Sequence, residues 1–72
     1  MIDKETLERL REKYPVGTRV RLTKMDDPFA PPIGVLGTVK GVDDMGSIEV
    51  KWDIGGSLSI IYGFDECEII EG

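Results

Sequence analysis

The sequence predicts a small, mainly β domain with one N-terminal α-helix. Apolar and charged residues alternate over short segments, and glycine, proline or aspartate clusters separate these segments. The length of 72 residues allows one domain and is too short for two. Five short strands joined by tight turns, with one long loop after the first, are typical of a small SH3-like barrel, whose closure removes exposed sheet edges. An open meander backed by the helix is the competing topology. We expect the helix within residues 1–14 and the barrel over residues 15–71.

The N-terminal segment predicts a helix that begins after Asp3 and ends near Lys13. Aspartate is a favoured N-cap residue, and Pro15 discourages the helix from continuing. The apolar residues of this segment are spaced at i, i+3 and i+7 and form one narrow stripe: Leu7, Leu10 and Tyr14. A helix of this length is marginal alone, so we expect the stripe to dock on the barrel. The alternative is a frayed, charged arm.

Residues 16–24 predict the first strand, because apolar and charged side chains alternate there. The expected inner face holds Val16, Thr18, Val20 and Leu22. The following segment, 25–34, holds three prolines in ten residues and is predicted to form a stiff, ordered loop rather than a central strand.

The central hairpin is predicted over residues 34–53, with its turn at 43–46. Its second strand alternates, which places one set of side chains in the core: Ile48, Val50 and Trp52. A glycine turn at 54–56 leads to a fourth strand over 58–62, and a corner at 63–65 leads to a fifth over 67–70.

The charge distribution opposes a role in binding nucleic acid. The net charge is −5; residues 1–24 hold seven basic and four acidic side chains and carry +3, whereas residues 25–72 hold two basic and ten acidic side chains and carry −8. Nucleic-acid affinity depends on neutralising phosphates, so this partner is not expected. Nucleic-acid binding stays open as the alternative function. It would use the outer face of the first strand, where Arg19 and Arg21 lie on the same side.

The residue types also argue against an enzyme. Cys67 is the only cysteine and the chain has no histidine, so neither an intrachain disulfide nor a Cys/His zinc site is expected, and no histidine is present to activate the thiol. The aspartate pairs at 26–27 and 43–44 lie beside turn residues and are read as turn formers, so no metal or other cofactor is predicted. No apolar run approaches the roughly 18 residues of a membrane span, and a lone cysteine fits a reducing compartment, so we expect a cytoplasmic protein.

Four blocks of sequence carry a resemblance to a known family: PVGTRVRL at 15–22, GVLGTV at 34–39, GSIEVKWD at 46–53 and EII at 68–70. In this order they resemble an uncharacterised bacterial and phage domain-of-unknown-function family of small SH3-like barrels. There is a looser similarity to the mind-bomb-type domain of ubiquitin ligases, which implies a fold and not an activity. In these families the position of Ile54, in the turn after the Trp52 strand, more often holds a polar residue. We expect Gly55 and Gly56 to adopt the positive φ angles of this turn.

We therefore expect a non-enzymatic interaction module that binds a protein or peptide partner. Fold analogy and the long loop favour a contact surface made by Phe29, Pro31, Pro32, Trp52, Tyr62 and Phe64. Two alternatives stay open: Trp52 and Tyr62 belong to the core, or Phe29 folds inward and plugs the loop. The sequence indicates neither the identity of the partner nor the oligomeric state.

Overall fold

The computed structural model describes residues 2–71, which form one helix and five strands. All the strand pairs are antiparallel and belong to one sheet with the order β4-β3-β2-β1-β5. The mainly β fold with an N-terminal helix is thus confirmed. The elements are α1 (Lys4–Lys13), β1 (Arg19–Lys24), β2 (Leu36–Val42), β3 (Ser47–Trp52), β4 (Ile60–Ile61) and β5 (Glu66–Ile69).

The sheet is curled into a barrel-like shape. Strand β4 pairs with β3, and β5 pairs with β1, so β4 and β5 are the two edges of the sheet. These edges lie close to each other, and α1 packs beside β2. The edges share no hydrogen-bonded ladder within residues 2–71. The described strands therefore form a curled sheet with a seam between β4 and β5.

Helix α1 begins and ends as predicted. The Asp3 carboxylate accepts a hydrogen bond from the Thr6 backbone N–H at 2.7 Å, and this bond holds the pKa of Asp3 below its usual range. Leu10 and Tyr14 are buried in the core, while Leu7 is half-buried. The predicted stripe therefore docks on the sheet, and the helix is not a free arm.

The first strand begins later than predicted. Val16 was expected in the core but is 73% exposed, because residues 15–18 form a turn. The Thr18 backbone N–H and hydroxyl both donate to the Pro15 carbonyl, at 3.1 and 2.6 Å, and Gly17 supplies a φ of +97°. The preference of proline and glycine for this turn outweighs the apolar alternation at Val16.

The core follows the predicted alternation in the central strands. Val20 and Leu22 of β1 are fully buried, as are the inward residues of β3. The seven core residues that the sheet supplies are Val20, Leu22, Val39, Ile48, Val50, Trp52 and Ile60. Strand β4 covers only Ile60–Ile61 rather than 58–62. The Leu58 carbonyl lies outside the ladder and accepts a hydrogen bond from the Trp52 indole N–H at 2.9 Å.

The turn after β3 is built as expected for an isoleucine at position 54. Gly55 and Gly56 have φ angles of +105° and +88°, and no non-glycine residue within 2–71 has a positive φ. Ile54 therefore stays in an allowed conformation and lies exposed on the turn.

Candidate functional site

The structure divides the predicted contact residues into surface and core. Phe29 is 87% exposed, Phe64 75% and Tyr62 51%, so these three aromatic rings are available to a partner. Trp52 is only 1% exposed. It packs in the core with its indole N–H bonded internally, so its inclusion in the contact surface was wrong.

The loop between β1 and β2 holds Phe29 away from the core. The Asp27 carboxylate accepts the Phe29 N–H at 2.8 Å, which fixes a tight turn in front of the ring. The loop returns to the sheet where the Gly34 N–H donates to the Leu22 carbonyl at 2.8 Å. Within this loop Pro31 is half-buried and Pro32 is exposed. Phe29 is therefore not the inward plug that the sequence allowed.

A second exposed ring lies on the corner between β4 and β5. The Phe64 and Asp65 N–H groups both donate to the Ile61 carbonyl, at 3.1 and 2.9 Å. In return, the Asp65 carboxylate accepts the Ile61 N–H at 2.8 Å. These three hydrogen bonds support the backbone of the corner that presents Phe64 to solvent.

A groove of about 530 Å³ lies beside this corner, and we call it the Phe64 groove. It runs between the start of the 25–35 loop, the 57–59 segment and the corner itself. Its apolar lining comes from Met25, Leu58, Ile61 and Phe64. Its volume falls in the range of known ligand-binding clefts, roughly 300–1,000 Å³. The groove thus joins the corner to the first residues of the loop that carries Phe29.

Four aspartates also line the groove, together with three serines: Asp26, Asp27, Asp43, Asp65, Ser47, Ser57 and Ser59. The expectation that aspartates in these segments form turns agrees with the contacts of Asp43, whose carboxylate accepts the Met45 and Ser47 N–H groups, each at 2.9 Å. The four aspartates come from three separate turns. Sequence reasoning did not bring them together, because only the fold places those turns around one groove.

A smaller cleft of about 470 Å³ lies at the seam between β4 and β5, next to α1. Cys67 and Tyr14 line it, and the thiol lies 3.8 Å from the tyrosine hydroxyl. Burial raises the pKa of the Cys67 thiol, and burial also raises the pKa of Tyr14 to about 12. Both groups are therefore protonated at neutral pH. Because the thiolate is the reactive form of cysteine, Cys67 is not an activated nucleophile, and neither is Tyr14.

The arginine face of β1 is occupied by carboxylates. Arg19 donates to both oxygens of Asp53, at 2.7 and 2.5 Å, and to the Thr38 hydroxyl at 2.9 Å. The hydrogen bonds from Arg19 lower the pKa of Asp53. Arg21 donates to Glu68 at 2.8 Å. Asp53, at the start of the turn after β3, is thus paired with Arg19.

Two further findings concern the described part of the chain. No helix there is long and apolar enough to cross a membrane. Within residues 2–71, no group of three or more aspartate, glutamate or cysteine side chains is arranged to hold a metal ion.

The fold and the site define a small, mainly β domain with two exposed phenylalanines, of which Phe64 lines a groove. The chain belongs to the family described as a domain of unknown function (DUF4314), whose model matches residues 3–70. The expected membership of an uncharacterised domain family is thereby confirmed. No curated protein and no solved structure gave a match.

Proposed function

We propose that this domain is a non-enzymatic interaction module that binds a segment of a protein partner in the Phe64 groove. The observation that carries the proposal is Phe64 itself, which is 75% exposed on a hydrogen-bonded corner beside a groove of about 530 Å³. Exposed aromatic rings supply large apolar contact areas and are enriched among residues that dominate binding energy. A supported backbone also loses little entropy on binding.

Phe29 extends the proposed contact surface. Asp27 lines the groove and its carboxylate holds the Phe29 backbone, so the loop that carries Phe29 starts at the wall of the groove. Tyr62 lies on the same corner as Phe64, and Pro31 and Pro32 continue the loop. The prolines limit the freedom of the unbound loop and so reduce the entropy that binding removes.

We further infer that the barrel is of the SH3-like type. The meander of β1 to β4, the pairing of β5 with β1, the long loop after β1 and the corner before β5 support this inference. Peptide binding by such barrels is the analogy behind the proposed function. A bacterial or phage setting, a cytoplasmic location and the looser mind-bomb likeness are proposals that rest on the sequence motifs.

Nucleic acid has less support as a partner. All four arginines form ion pairs with carboxylates, including Arg19 and Arg21 on the candidate face. Binding a phosphate there would require breaking these pairs, and the chain carries a net charge of −5.

The test compares capture of proteins from the native host by the wild-type domain and by Phe64→Ala, with quantitative mass spectrometry. Because Phe64 is mostly exposed, the variant should melt within a few degrees of wild type while losing the captured partner. Val16→Ala is the matched control, since Val16 is 73% exposed and lines neither cleft. Undiminished capture by Phe64→Ala would contradict the proposal, and Phe29→Ala then shows whether the loop alone binds.

A further inference from the structure

The lining of the Phe64 groove holds negative charge and, within residues 2–71, no basic side chain, while Phe64 and Asp65 also line the smaller cleft, where Lys13 and Lys24 lie. Four of the residues that line the groove are aspartates, and no lysine or arginine among residues 2–71 lines it. Asp26, Asp27, Asp43 and Asp65 form no ion pair with any described basic side chain. A cleft lined by charges of one sign concentrates the field and attracts ligands of the opposite sign.

Helix α1 also has carboxylates outside the described ion pairs, Glu8 and Glu12, but basic side chains lie on the same helix, whereas no described basic side chain lines the groove. Five ion pairs lie elsewhere on the described surface, and each pairs one carboxylate with one basic group. The carboxylates in these pairs are Glu5, Asp44, Asp53, Glu66 and Glu68. The negative charge of the groove is therefore a local property and not only a consequence of the net charge of the chain.

The aspartates keep capacity to bind a cationic group. An ionised carboxylate offers about four acceptor positions on its two oxygens. Asp27 and Asp65 each accept one backbone N–H, and Asp43 accepts two. The backbone hydrogen bonds orient these side chains at the edge of the groove while leaving acceptor positions for a lysine or arginine of a partner.

The arrangement of charge and apolar surface selects one kind of ligand. A single metal ion does not fit, because no three described carboxylates are placed to hold one. Nucleic acid has the wrong sign of charge. An apolar lining formed by Met25, Leu58, Ile61 and Phe64 requires an apolar group in addition to a cation.

We propose that the groove binds a basic peptide segment of a partner protein, in which lysine or arginine residues flank an apolar side chain. The apolar side chain packs against Phe64, and the flanking cations lie near the aspartates. This inference rests on the proposed function and names the chemistry of the partner.

The test selects binders from a displayed library of short random peptides, with the folded domain as the target. We expect the enriched peptides to carry lysine or arginine around an aromatic or aliphatic residue. The affinity of one enriched peptide is then measured by calorimetry for wild type, for Phe64→Ala and for a variant with Asp26→Asn and Asp65→Asn. Asparagine retains a side-chain oxygen that can accept the Ile61 N–H.

The charge variant should bind the peptide roughly two- to fivefold more weakly for each charge removed, and added salt should reduce the difference. The matched control removes two charges from α1, by Glu8→Gln and Glu12→Gln. Both of these side chains are exposed and neither lines the groove. The control should bind like wild type.

The outcomes separate the inference from the proposed function. Enriched peptides that are uncharged or acidic, but still lose affinity with Phe64→Ala, overturn the basic-peptide inference and leave the proposed function standing. Equal affinity for the charge variant and the α1 control overturns the inference in the same way. Binding that no substitution at Phe64 weakens, or a library without any enriched peptide, counts against both.

Discussion

Replacing Gly37 by alanine should destabilise the domain, because β3 leaves no room for a methyl group there. Gly37 lies opposite Trp52 in the β2–β3 ladder. A Cβ atom at this position would lie 2.5 Å from Val50 Cγ1, 2.7 Å from Trp52 Cε3 and 3.0 Å from the Lys51 carbonyl oxygen. Carbon atoms in favourable contact are about 3.5–4.0 Å apart. The absence of a side chain at Gly37 therefore makes space for the core tryptophan.

The loss of stability in Gly37→Ala depends on whether the neighbouring side chains can move away from the added methyl group. Val50 and Trp52 are each only 1% exposed, so neither can rotate into solvent to relieve the overlap. Forcing an extra carbon into a packed core costs about 1–3 kcal/mol, and three close contacts place this site at the upper end. Alanine also restricts the unfolded chain more than glycine does, which stabilises the folded state by about 0.4–1 kcal/mol. A net loss of about 2 kcal/mol corresponds to a fall in Tm of roughly 8–16 °C for a domain of this size.

Thermal unfolding followed by circular dichroism measures this loss, and Gly41→Ala is the matched control. Gly41 lies in the same strand, and the nearest atom to an added Cβ is Glu49 Oε1 at 3.8 Å, an ordinary contact. The Tm of the Gly41→Ala variant should equal that of wild type or exceed it slightly. If Gly37→Ala and Gly41→Ala melt at the same temperature, the packing argument is wrong. Adding Val50→Ala to Gly37→Ala should cost less than the sum of the two single changes, because it removes one of the overlapping atoms.

Two predictions concern α1 and its contacts. Leu10→Ala removes three buried carbons at about 0.8 kcal/mol each and should cost about 2–3 kcal/mol, whereas the half-buried Leu7 should cost clearly less. Equal melting of the two variants would show that α1 does not dock through Leu10. Burial raises the pKa of Tyr14 from 10.0 to about 12, so the stability that its neutral form contributes is complete below pH 10 and is lost as the pH rises towards 12. Titration of tyrosinate absorbance in a Tyr62→Phe variant, which leaves Tyr14 as the only tyrosine, measures this, and a midpoint near 10.0 would contradict it.

The strands were predictable wherever alternation alone decided burial. Val20 and Leu22 in β1 and the inward residues of β3 follow the two-residue period, because a pleated strand places alternate side chains on one face. The pattern failed at Val16, where local turn preferences governed the backbone. The pattern also predicted too long a fourth strand, over 58–62, whereas β4 covers only Ile60–Ile61. The Leu58 carbonyl accepts a hydrogen bond from the Trp52 indole instead of joining the strand ladder. A contact of this kind leaves no periodic signal in the sequence.

The candidate site was only partly predictable. Phe29, Tyr62 and Phe64 could be identified as aromatic residues in or beside turns, but composition does not distinguish an exposed ring from a buried one. For Trp52 the distinguishing signal was present, since the alternation in β3 placed it on the core face, and that signal should have outweighed the analogy to binding surfaces. The acidic lining of the groove had no such signal, because it forms only when distant turns meet.

The ion pairs explain why the uneven charge of the sequence does not produce a basic surface. Four of the five described pairs join a basic residue from 1–24 to an acidic residue from 25–72: Arg11 with Asp44, Arg19 with Asp53, Arg21 with Glu68, and Lys24 with Glu66. Such exposed pairs contribute little to stability. Their main effect is on the field, since they neutralise the arginine face and leave the aspartates of the Phe64 groove without partners. A solvated face can tolerate unbalanced charge or exposed apolar area separately, because each is common on protein surfaces. The groove combines both, and a ligand that is cationic and apolar together gains from both at the same position.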